Sequence, residues 1–112
     1  MKRGDIWTIA GEKDYAGKPR PAVIVRDDMF DDSESITICG FTTNAIDLPY
    51  RRVPVVSAPG NGLRETSRLM IDKITSVKKS KMGKRIGRLD EADMARLDQA
   101  LVVYLGLAAR LK

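Results

Sequence analysis

The sequence contains no histidine and a single cysteine, and aromatic residues make up only 5% of it. Without histidine, the most frequent acid–base group and metal ligand is missing. One thiol, Cys39, excludes an internal disulfide and effectively excludes a structural zinc site. No Cys-His or Ser-His nucleophile can be assembled. Cys39 lies in the alternating run "SITICGF", where a small core residue is expected. No Walker loop, GxGxxG or HExxH occurs. Apolar runs are too short for a transmembrane helix, and "MKRGDIWTIA" enters strand-like sequence without a signal-peptide hydrophobic stretch, so a cytoplasmic location is expected. The aromatics are scattered, which does not advertise a general base-stacking platform. An enzyme built from this inventory must work with guanidinium, ammonium, hydroxyl and carboxylate groups.

What is present is charge. At 112 residues, with 43% apolar and 31% charged residues, the chain is one globular domain by length and composition. A net charge of +5 and a pI near 9.6 favour a polyanionic or acidic partner. The excess is concentrated between Arg64 and Arg88, where nine basic residues face only Glu65 and Asp72. Acids gather instead in "DDMFDDSE" at 27–34 and "DEAD" at 90–93. Such a run is commonly a solvated face. Here it is interleaved with apolar strand residues and must form a folded positive surface, fit for nucleic acid or an acidic protein segment.

Strand-like runs fill the first three-quarters: "DIWTIA" (5–10), "PAVIVR" (21–26), "SITICGFTT" (35–43), "RVPVVS" (52–57), "SRLMI" (67–71), "KITSV" (73–77) and "KRIGRL" (84–89). Gly40 marks a candidate bulge and Pro54 an edge strand. "APGNG" (58–62) is the strongest turn signal. The period then changes. Asp90 reads as an N-cap, with Met94, Leu97, Leu101, Tyr104 and Ala108 on one helical stripe. The expectation is an α+β, mainly β domain over residues 1–112: a small, strongly bent antiparallel sheet or barrel with a C-terminal α-helix.

Two stretches carry the candidate chemistry. In "GKPRPAVIV" (17–25), prolines on either side of Arg20 stiffen the backbone at a strand entrance. Rigidity does nothing for a solubilising arginine, but it suits a guanidinium that must meet a ligand already aimed. In "FTTNAIDLPY" (41–50), Thr42, Thr43 and Asn44 stand where a strand ends in a polar loop, an arrangement that ordinary strand and turn preferences also produce. Arginine and hydroxyl groups fit RNA cleavage by its own 2′-hydroxyl. There the protein must orient a phosphodiester, neutralise a dianionic transition state and manage two protons.

In order along the chain, "RGDIW" (3–7), "KPRPAVIV" (18–25), "TT" (42–43) and "SRLMIDKITSVKKSKMGKRIGRLDEADM" (67–94) together resemble the MazF/PemK toxin endoribonucleases of type II toxin–antitoxin modules. The resemblance covers nearly the whole chain. It implies a compact Src-homology-3-like barrel related to the gyrase poison CcdB, a homodimer, and sequence-selective cleavage of single-stranded RNA without metal or cofactor through a 2′,3′-cyclic phosphate. The family's catalytic arginine and threonine fall on Arg20 and Thr42. Expected RNA contacts are Lys18, Thr43, Asn44, Arg68, Asp72 and Lys73. Some relatives use an arginine and an aspartate from the later strand; the aspartate matches Asp72, whereas the arginine position holds Met70. The loop from Gly11 to Lys18 is short and lacks the family's Asp-Pro-Thr element, so the cleavage sequence does not carry over. The general base is unassigned, and arginine, which barely deprotonates, supplies electrostatic stabilisation. An acidic, flexible antitoxin is the implied protein partner. The alternatives are a non-catalytic CcdB-like poison of the same fold and an inactive nucleic-acid-binding barrel.

Overall fold

The computed structural model describes residues 1–10 and 19–110. Seven strands precede one helix: β1 (Asp5–Ile9), β2 (Arg20–Ile24), β3 (Ser35–Thr42), β4 (Arg52–Val55), β5 (Ser67–Met70), β6 (Thr75–Lys78), β7 (Met82–Arg88) and α1 (Glu91–Tyr104). All pairings are antiparallel, in the order β4-β5-β3-β2-β1-β7, with β6 on β3. Strand β3 is the hinge of this arrangement. Its first half, Ser35–Ile38, pairs with β6, and its end, Phe41–Thr42, pairs with β5 on the same edge.

The expected barrel is not closed. β4 and β7 are the two ends of the strand path and do not pair. Pro54 in β4 has no N–H to offer a further strand, and its edge position agrees with the sequence reading. The "APGNG" turn occupies the gap instead, with Arg88 N–H donating to Gly60 O at 2.9 Å. The turn lies so near β7 that a Cβ on Gly87 would come within 2.4 Å of the Asn61 carbonyl carbon. A loop with one such bond thus stands where a ladder would close the barrel. The Gly40 bulge is also absent, since the β2–β3 and β3–β5 registers run without a slip. The irregularities fall between β1 and β7, on both sides of Trp7.

Period-two alternation divides the buried residues between the sheet's two faces. Ile6, Val23, Cys39, Phe41 and Leu69 join Leu97 and Ala100 of α1 in the larger core. Ala22, Ile24, Ile36 and Ile38 form a smaller cluster, with Trp7 and Val77 packed against it. Asp90 caps α1 as expected, its carboxylate accepting from Asp93 N–H at 2.7 Å. The helix stops earlier than its apolar stripe. Gly106 takes φ +77°, Gly106 N–H bonds Val103 O and Leu107 N–H bonds Val102 O, a Schellman ending that puts Ala108 in a separate 3₁₀ turn. Tyr104 is consequently about half exposed. Among the described residues, no helix is long and apolar enough to cross a membrane.

A cation-rimmed cleft as candidate nucleic-acid interface

Arg20 is the first residue of β2, exposed, and opposite Ile9 of β1. On the other side the β2–β3 ladder begins only at Ala22, opposite Gly40, because Pro21 brings no N–H to it. Carrying that register two residues further sets Thr42 opposite Arg20, just past the last rung. Alternation then aims Arg20 toward the same side of the sheet as Ala22 and Ile24, the face of the smaller cluster. Gly40 and Thr42 share that face with Ile36 and Ile38.

A cleft of about 280 Å³ opens there. Its floor is apolar, including Ile9, Ala22, Ile38 and Met70, and its cations are Arg20, Lys73 and Lys81. The floor is bare because Ala22 and Gly40 face each other, and a Cβ on Gly40 would meet the Met70 methyl at 3.3 Å. Lys81 was hidden in the sequence, where β7 reads as starting at Lys84. The strand starts at Met82, opposite Ile9, and Ala10 N–H bonds Lys81 O at 2.8 Å.

The remaining predicted contacts divide. Thr42 is opposite Arg68 of β5, and its Oγ1 accepts from Asn44 N–H at 3.2 Å, leaving the hydroxyl's own proton to donate. Thr43 points elsewhere, into a larger cleft of about 630 Å³ with Pro19, Pro21, Arg64 and Glu65. Adjacent threonines on an extended strand cannot serve one face. Asn44 is exposed in the loop after β3. Asp72 is ion-paired with Arg52, a residue that no local pattern singles out. Lys18 lies outside the described residues.

The basic run is less open than its sequence implies. The acidic loop after β2 folds back onto it, with Lys79 N–H bonded to Glu34 O at 2.9 Å and Lys79 Nζ 3.4 Å from an Asp31 carboxylate oxygen. Lys79 holds the Asp31 carboxyl below the usual carboxylate range. Lys78 and Lys79 border the shallow depression against that loop, whereas Lys73 and Lys81 rim the cleft with Arg20. Cys39 lies in the larger core, and burial pushes its thiol up to about 12, which makes it chemically inert.

The family described as PemK-like, MazF-like toxin of type II toxin–antitoxin system matches residues 2–105. The chain is 49% identical over 108 residues to a probable endoribonuclease MazF of Mycolicibacterium smegmatis, covering 96% of this chain and 99% of that one. It is 29% identical over 116 residues to endoribonuclease MazF9 of Mycobacterium tuberculosis, covering 96% and 98% of the two chains. In fold it is similar to a mycobacterial endoribonuclease solved in complex with its cognate antitoxin, with a TM-score of 0.77 at 22% identity over 96% of both chains. With the family match spanning nearly all of the described strands and helix, the chain belongs to the PemK-like, MazF-like toxins of type II toxin–antitoxin systems.

Proposed function

We propose that this chain, a MazF-type toxin and endoribonuclease by family, cleaves single-stranded RNA sequence-selectively and without a metal. The 2′-oxygen attacks the adjacent phosphorus. A 2′-O–P bond forms, the P–O5′ bond breaks, the 2′ proton is released and a proton goes to the departing 5′-oxygen. The products are a 2′,3′-cyclic phosphate and a 5′-hydroxyl. One observation carries the reading: three cations from different parts of the chain, Arg20, Lys73 and Lys81, rim one cleft with an apolar floor. Such a floor suits a base or ribose, and the rim suits a phosphodiester that gains negative charge at the transition state. Arg20 would clamp the phosphate bidentately, with Thr42 adding a hydroxyl hydrogen bond and Arg68 beside it holding the flanking backbone. A chain without histidine and with one buried cysteine offers few good ligands for a transition metal, which supports a reaction run by fixed cations.

We further propose a homodimer neutralised by an acidic, flexible antitoxin segment that competes with RNA for this surface. Support comes from the net charge of +5 and from the antitoxin complex named for the structural relative. No observation favours the non-catalytic alternative. The test is incubation of purified protein with mixed-sequence RNA in EDTA, followed by mapping of the ends. Wild type should give recurrent sites bearing cyclic phosphates, and Arg20→Ala should give none. Random ends, ends that require added metal, or full activity in Arg20→Ala would overturn the reading.

A further inference from the structure

Asp72 matches an aspartate that some relatives use from the later strand, but here its surroundings commit it to another task. Its Oδ1 pairs with Arg52 Nη1, and the two side chains are only 23% and 10% exposed. The same Nη1 also donates to Arg51 O at 2.9 Å. Arg51 O in turn accepts from Ile71 N–H at 3.0 Å, at the start of the 3₁₀ turn Ile71–Lys73. No side chain caps that turn. Ile71 is fully buried in the larger core with Leu97, so the turn is fixed at its first residue by packing and at its second by the ion pair. Its third residue is Lys73, on the rim of the Arg20 cleft. The far end of the strut is equally constrained. Arg51 and Arg52 N–H both bond Leu48 O, and Tyr50, just before them in that turn, takes φ +62°, a conformation that a tyrosine adopts only when its surroundings impose it.

We infer that Asp72 is a positioning residue: paired with Arg52, it locks the Ile71–Lys73 turn and holds the Lys73 ammonium at the cleft, and it does not take the substrate's proton. This rests on the reading that the cleft binds the scissile phosphodiester. The Asp72 oxygen that would have to face the substrate is already occupied by Arg52 Nη1, whose other hydrogen bond to Arg51 O holds the guanidinium in place. A lysine one residue along a pinned turn gains the preorganisation that a mobile ammonium lacks.

A coupling experiment tests this. Binding is measured on an RNA carrying a mapped cleavage site with a 2′-deoxy substitution that blocks reaction, and single-turnover cleavage is measured against pH on the unmodified RNA. Asp72→Asn keeps the side chain's shape, and Arg52→Lys keeps the charge but loses the fork. Each should weaken binding by about 10-fold with the shape of the pH–rate profile unchanged. Lys73→Ala should cost about 10-fold in wild type and little in the Asp72→Asn background, because the lysine has already lost its seat. Either of two results overturns the inference. One is a rate loss beyond about 1000-fold in Asp72→Asn with binding intact and the acidic limb of the profile gone, which would make Asp72 the base. The other is a Lys73→Ala effect that simply adds to Asp72→Asn. If Arg20→Ala binds the deoxy RNA as tightly as wild type, the cleft reading itself fails, whatever Asp72 does.

Discussion

Strands β2 and β3 each serve two interiors, and the two are built to different ends. On one face Val23, Cys39 and Phe41 enter a core sealed by α1, where Leu97 is fully buried and Ala100 nearly so. On the other, Ala22, Ile24, Ile36 and Ile38 make a small cluster that runs out into the cleft rimmed by Arg20, Lys73 and Lys81. The same backbone, read at odd and even positions, thus supplies stability on one side and an open, positively charged floor on the other. A half-sealed face is where a substrate can reach side chains that the sealed face holds rigid.

The sharpest way to break this comparison is to damage one face and look for an effect on the other. Leu97→Ala should cost about 2–5 kcal/mol, the transfer and cavity terms of a buried leucine. Urea unfolding would measure that loss. RNA cleavage well below the new midpoint should be unchanged, and a parallel loss of activity in the folded protein would mean that the two interiors are not separable. The converse change is Thr42→Val, which should slow cleavage by about 10- to 1000-fold with little change in melting temperature. Thr42→Ser, which keeps the hydroxyl, should recover most of the rate. A valine variant with wild-type turnover would reduce Thr42 to a strand residue that holds Asn44.

A third change sharpens the comparison through charge. Asp5 is buried, which alone would raise its carboxyl, but Lys2 N–H and the Arg88 and Arg85 guanidiniums outweigh burial and lower it below 3.8. Its stabilising contribution is therefore complete above the unfolded-state value and is lost as pH falls through the lower folded value. Asp5→Asn should lose about 1–3 kcal/mol at neutral pH and flatten the acid arm of the stability curve, without altering the pH dependence of cleavage. Acid titration of both proteins by circular dichroism checks this. An unchanged acid arm would assign the acid sensitivity to other carboxylates.

Much of this was legible beforehand because the signals are local. Alternation located all seven strands, Pro54 marked an edge, and Asp90 marked the start of the helix. The paired prolines singled out Arg20, and the structure sets it on the cleft. What could not be read depends on which strands meet. Closure of the barrel fails at β4 and β7, whose proximity is settled by a loop, and nothing within either strand announces that. Thr42 and Thr43 are adjacent in sequence, yet only the registers of β3 with β2 and β5 show which one shares a face with Arg20. Lys81 and Arg52 lie near a boundary or inside an edge strand, and each takes its role from a residue far along the chain.

Cys39 gives the molecule an internal clock. It is the only thiol, it has no exposed surface, and it sits on the strand that pairs directly with β2, β5 and β6 and carries β1 and β4 at one remove. An alkylating reagent can reach its sulfur only when β3 comes away from its neighbours, so the labelling rate counts the openings of the central strand rather than the fraying of its margins. A ligand seated in the cleft on the reverse face of that strand should slow the clock without touching the sulfur, which lets occupancy of the site be timed from inside the protein.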